Sequence, residues 1–120
     1  MEVVLFRIRT RADVDQAEYE RTFEEMLGVV SDLPGFVSID GYVAEDGSEM
    51  AVACFESPEA LAAWRDQPEH VRTRDRGRQE FFEAYDITVA TVSRHYAWQR
   101  EGGRPPGPEA SAGPGAASPS

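Results

Sequence analysis

The spacing of apolar residues changes repeatedly along this chain, and each change predicts an element. From Val3 to Thr10 the residues alternate, with Val4, Phe6 and Ile8 on one face and Leu5, Arg7 and Arg9 on the other, which predicts a strand. The period then lengthens to three and four at Tyr19, Phe23, Met26, Leu27 and Val30, the stripe of a helix. Asp13 with Gln16 reads as its capping box, and Leu33-Pro34-Gly35 stops it. A second strand is predicted over Phe36 to Ala44, a turn at Asp46-Gly47 and a third strand from Met50 to Glu56, together a hairpin. Ser57-Pro58 starts a helix, with Ser as N-cap and Pro in the first turn. That helix is broken: Ala60 to Trp64 form a short piece, Pro68 restarts it, and the second piece carries Val71, Phe81 and Phe82 toward Tyr85. A last strand is predicted from Asp86 to Trp98.

The order βαββαβ predicts a ferredoxin-like α+β fold, a four-stranded antiparallel sheet with helices on one face. A half-solvated sheet should alternate apolar with polar, yet Met50-Ala51-Val52-Ala53-Cys54-Phe55 is apolar throughout. The second face therefore needs a cover, and a second copy of the same sheet predicts a homodimer burying roughly 1,200 Å² or more. The alternative is that small Ala residues tolerate exposure.

Composition narrows the picture. A length of 120 residues suits one core and no more. From Glu101 to Ser120 the chain is almost wholly Gly, Pro, Ala and Ser, with nothing bulky to offset the entropy of ordering, so residues 1–100 are expected to form the domain and 101–120 a disordered tail. The formal charge of -10, with Arg as the only strong base, argues against a nucleic-acid partner. Arg7 and Arg9 interrupt the first apolar run, so no signal peptide is expected, and no stretch is long enough to span a membrane. The single Cys54 cannot form an internal disulfide and suits a cytoplasmic setting. It is expected to be buried and unreactive.

The run FESPEALAAWRDQPEHVRTRDRGRQEFFEAYDITVATVSRHYAW, together with Tyr19-Glu20 and Leu33-Pro34-Gly35-Phe36, resembles the antibiotic-biosynthesis monooxygenase family of dimeric α+β barrels. The resemblance covers roughly residues 2 to 98. It implies a cofactor-independent monooxygenase, or a related tailoring enzyme, acting on an aromatic polyketide, phenol or quinol. It equally admits a haem-binding or haem-degrading protein, or a noncatalytic dimeric module that binds a small aromatic molecule. The site of the anthrone-oxidising members falls on Ala60, Trp64 and His70, and the haem-ligating position of the haem-degrading branch falls near Arg74; Trp64 alone matches the family residue, and Asn is absent from the sequence.

Three residues are the catalytic candidates. His70 follows Pro68 in the first turn of a helix, where the positive end of the dipole favours neutral imidazole, a form able to act as a base; the alternatives are a capping or a surface role. The indole N–H of Trp64 could donate to a substrate carbonyl, or its ring could plug the helix–sheet junction. Arg72, Arg74, Arg76 and Arg78 split into two helical pairs, 72 with 76 and 74 with 78, and read either as a salt-bridged surface or as a source of an oxyanion partner from Arg74 or Arg78. Phe6, Phe23, Phe55, Phe82 and Tyr85 are the candidate walls of a flat apolar pocket entered at Asp66-Gln67-Pro68. His95 reads as exposed or interfacial, Gly77 as a kink or close backbone approach, and no metal site is expected.

Overall fold

The computed structural model describes residues 1–107. The tail predicted from residue 101 therefore lies, from 108 onward, outside the described residues. The elements are β1 (Glu2–Thr10), α1 (Gln16–Ser31), β2 (Phe36–Val43), β3 (Glu49–Phe55), α2 (Pro58–Arg65), α3 (Pro68–Arg76), a π-turn (Gly77–Phe81) and β4 (Phe82–Thr91). The strands form one antiparallel sheet in the order β2-β3-β1-β4, the predicted ferredoxin-like arrangement.

Local chemistry places most boundaries. Ser57 accepts from the Ala60 N–H at 3.1 Å and Pro58 fills the first turn of α2. The Gln67 side chain accepts from the His70 N–H at 2.8 Å, and with Pro68 it restarts the helix as α3. At the β2–β3 turn Asp46 accepts from the Ser48 N–H at 2.9 Å, and Gly47 takes a φ of 87°. The predicted capping box at Asp13 and Gln16 is not formed. Asp15 caps α1 by accepting from the Glu18 N–H at 3.1 Å, while Asp13 is held by Arg11.

The strand register sorts the two faces. Val4 lies opposite Ala53 and Val89, and Phe6 opposite Ala51 and Ile87, so these share the face beneath the helices. Its core is Val30, Ala53, Phe55 and Ala60, with Val4, Leu33, Ile39 and Trp64 packed on it. Gly35 closes the same layer: a β-carbon there would stand 2.5 Å from that of Ala60. Val3, Leu5, Val52 and Cys54 occupy the other face, away from this core, and are half-buried in the single chain. Cys54 is thus not buried as expected, because it stands on the face that no helix covers.

The last strand is displaced from its predicted span. It begins at Phe82, which leaves the helix because the π-turn ends at Phe81, and it stops at Thr91. Thr91 pairs with Glu2, the first residue of β1, and the Val92 N–H reaches the Met1 carbonyl at 3.0 Å. The ladder ends at that bond, and Tyr96 and Trp98 are exposed outside the sheet.

Candidate functional site

The break between α2 and α3 brings the two ring residues of the candidate site together. Trp64 lies in the last turn of α2 and His70 in the first turn of α3, and their rings stack with centroids 3.9 Å apart and planes inclined by 19°. The His70 Nδ1 lies 2.9 Å from the Trp64 carbonyl. Since that carbonyl only accepts, the neutral ring carries its proton on Nδ1 and its lone pair on Nε2. Burial lowers the His70 pKa from its ordinary 6.5, hydrogen bonds to the backbone of Trp64 and Arg65 oppose this, and the charge of Arg74 adds to the lowering. The expected neutral imidazole is therefore favoured mainly by desolvation.

Arg74 stands one turn beyond His70 on α3. Its Nε is buried without a hydrogen-bond partner, and the nearest carboxylate oxygen, on Asp75, is 3.9 Å away. Arg78 continues the four-residue spacing onto the π-turn and donates from Nε to the Tyr85 hydroxyl at 2.7 Å. Arg76, on another side, is engaged by Glu18 at 2.6 Å and Glu80 at 3.0 Å, which ties α3 to α1. Arg78 lies beyond the end of α3, on the π-turn, so the predicted α-helical spacing of 74 with 78 does not apply there, and Arg76 belongs to the salt-bridged surface.

The predicted aromatic walls separate into groups. Phe6, Phe82 and Tyr85 form an edge-to-face cluster over β1 and β4, with centroids 5.4 to 5.8 Å apart. Phe55 is fully buried and packs against Phe36, so it is core and not a pocket wall. Phe23 is half-buried on α1, with no ring partner among the described residues. Sequence reasoning assigned no site role to Ile87 and Val89, which sit on the helix-side face of β4 and are each 52% exposed. The cue was present in their alternation with Tyr85, but nothing in the sequence says that the helices stop short of this edge.

Two open depressions lie elsewhere, one of about 680 Å³ at the end of the sheet around Arg9, Asp46 and Tyr85, and one of about 460 Å³ between α1 and α3. Neither is lined by Trp64 or His70. At the position that the resemblance assigns to a haem ligand stands Arg74, and the nearby imidazole of His70 lies against Trp64 with Nδ1 engaged. No group of His, Cys, Asp or Glu side chains suited to a metal ion occurs among the described residues. No helix among them is long and apolar enough to cross a membrane.

Comparison with known proteins identifies the family and the fold. The family model described as antibiotic biosynthesis monooxygenase matches residues 1–76. YqjZ of Bacillus subtilis, an uncharacterized protein, is 32% identical over 81 residues, spanning 68% of this chain and 71% of its own length. Among solved structures, Rv0793 from Mycobacterium tuberculosis superposes with a TM-score of 0.69 at 21% identity, over 78% of this chain and 96% of that one. SnoaB, a cofactor-independent oxygenase from Streptomyces nogalater, gives 0.65 at 18% identity, over 78% and 94%. At these identities the structural likeness is one of fold.

Proposed function

The chain belongs to the antibiotic biosynthesis monooxygenase family, and on that premise we propose that it is a cofactor-independent monooxygenase acting on a flat phenol, quinol or anthrone-like substrate. The observation that supports this reading is the stacked Trp64–His70 pair, in which burial disfavours the charged imidazole and the Trp64 carbonyl engages Nδ1, which leaves Nε2 as the ring nitrogen proposed as base.

Molecular oxygen is a triplet and reacts slowly with closed-shell neutral molecules, so the protein's first task is to make an electron-rich anion. His70 Nε2 takes the acidic proton of the substrate, and Arg74, with its unpaired buried Nε, stabilises the oxyanion that results. The indole N–H of Trp64 is the second donor proposed for that anion. The anion passes one electron to oxygen, and the radical pair combines to a hydroperoxide at carbon. Loss of water then converts a CH₂ into a C=O, with one oxygen atom in the product and the other in water.

We also propose that the sheet face bearing Leu5, Val52 and Cys54 is covered by a second copy, since one chain leaves it uncovered and it is apolar across two adjacent strands.

Oxygen uptake with a panel of anthrones and hydroquinones, with chelator present, tests the reaction. Uptake that falls by 10²-fold or more in His70→Ala, the range for a general base, is the expected result. Equal rates in wild type and His70→Ala remove His70 as the base. Absence of uptake with retained binding of the same molecules makes this a noncatalytic binding module, and a sharp Soret band on adding hemin returns haem to consideration.

A further inference from the structure

Glu2 is a buried acid that the proposed reaction does not use. It stands at the start of β1, opposite Phe55 on one side and Thr91 on the other, and is 7% exposed. Alternation along β1 places it on the helix-side face with Val4 and Phe6. Glutamate is seldom buried without a cation beside it, yet Glu2 forms no ion pair among the described residues. Its Oε1 accepts instead from the Thr91 hydroxyl at 3.0 Å. An apolar residue in this place would avoid the desolvation cost, so stability alone does not account for the acid.

The bond also limits what Thr91 can do. A hydroxyl has one hydrogen, and with that hydrogen committed to Glu2 the Thr91 oxygen can only accept from a further partner. Thr91 is exposed, so this acceptor stands open. It ends an apolar row on the same face of β4, where Ile87 and Val89 are each 52% exposed. From Ile87 to Thr91 the strand rises about 13 Å at 3.3 Å per residue, the scale of a fused three-ring aromatic. An open apolar row that ends in a polarised acceptor fits a flat molecule with a hydrogen-bond donor at its edge.

Resting on the proposed function above, we infer that the Glu2–Thr91 pair accepts a hydrogen bond from a hydroxyl of the substrate, so that the preferred ligands are planar aromatics carrying a second, un-ionised hydroxyl besides the acidic proton that His70 removes. Thr91 is the group that touches the ligand, and Glu2 positions it by holding its hydrogen. A carbonyl or ether at the same place sets lone pair against lone pair. Such a ligand is rejected, because its oxygen and that of Thr91 are both left without a donor.

The test uses two probes with one heavy-atom frame, 2-(1-hydroxyethyl)anthraquinone, which donates, and 2-acetylanthraquinone, which only accepts, titrated calorimetrically into the full chain. Wild type should bind the alcohol about tenfold more tightly, the scale of one hydrogen bond to a carboxyl-polarised acceptor. Thr91→Val keeps the shape without the oxygen and should erase the preference, whereas Thr91→Ser should keep it. The amide of Glu2→Gln can donate to Thr91 and release its hydroxyl hydrogen, so this variant should narrow the preference by tightening the ketone. Equal affinities in wild type, a preference that survives Thr91→Val, or equal weakening of both probes in Glu2→Gln overturn the inference while leaving the aromatic site standing. If neither probe binds, the aromatic site itself fails and the inference falls with it.

Discussion

The imidazole of His70 rests on the indole of Trp64, 3.9 Å between centroids, while its Nδ1 lies 2.9 Å from the carbonyl of the same residue. One residue thus fixes both the plane and the tautomer of its neighbour. The first prediction is optical. Protonating His70 sets a cation against the indole face, so Trp64 emission in a Trp98→Phe background should fall as pH drops below the lowered His70 pKa. An unchanged titration in His70→Gln would place the quenching group elsewhere.

The same shift sets a pH dependence of stability. His70 titrates below its ordinary 6.5 when folded, so between 6.5 and the folded value the unfolded chain binds the extra proton. Stability from this group is complete above 6.5, is lost as pH falls toward the folded value, and then levels. The melting temperature of wild type should decline across that window more steeply than that of His70→Gln; parallel curves would show that the ring is free to charge in the fold.

Gly77→Ala tests the seam between the π-turn and β4. The backbone there is ordinary right-handed helix at φ -57°, but an added β-carbon would stand 2.4 Å from Cε2 of Phe82. Overpacking of this kind costs about 1–3 kcal/mol, against a propensity gain of at most about 1 kcal/mol. We expect a net loss near 1 kcal/mol by urea unfolding, and a stabilised variant would mean that the Phe82 ring moves freely.

The uncovered sheet face makes an assembly prediction. Sedimentation should return about twice the 13.3 kDa chain mass, and Leu5→Asp or Val52→Asp should return the single mass with the fold retained. A wild-type monomer at micromolar concentration would leave this face for another occupant.

The fold was legible because its signals are local. The stripe from Tyr19 to Val30, the Ser57-Pro58 start and the Asp46-Gly47 turn each act within a few residues, and each appears where the pattern placed it. The misplaced features depend on distant groups. Asp13 reads as a cap until Arg11 is seen to hold it, and the alternation to Trp98 reads as strand until the ladder with β1 is seen to end at Thr91. In the candidate site, proximity of Trp64 and His70 followed from the Pro68 break, whereas the burial of Phe55 and the openness of Ile87 and Val89 depend on how far the helices reach across the sheet. Residue type and spacing carry no record of that reach.

The π-turn at Gly77–Phe81 is the wider last turn of the helical run, and β4 follows it directly at Phe82. Deleting one residue there would close the last turn in regular α geometry, but β4 would then enter the sheet one position out of step. Side chains on a strand alternate, so the slip would turn Tyr85, Ile87 and Val89 to the opposite face and bring Ala84, Asp86 and Thr88 beneath the helices. The length of this turn is therefore a phase setting, and point substitutions on either side of it should be tolerated far better than any change in the number of residues it contains.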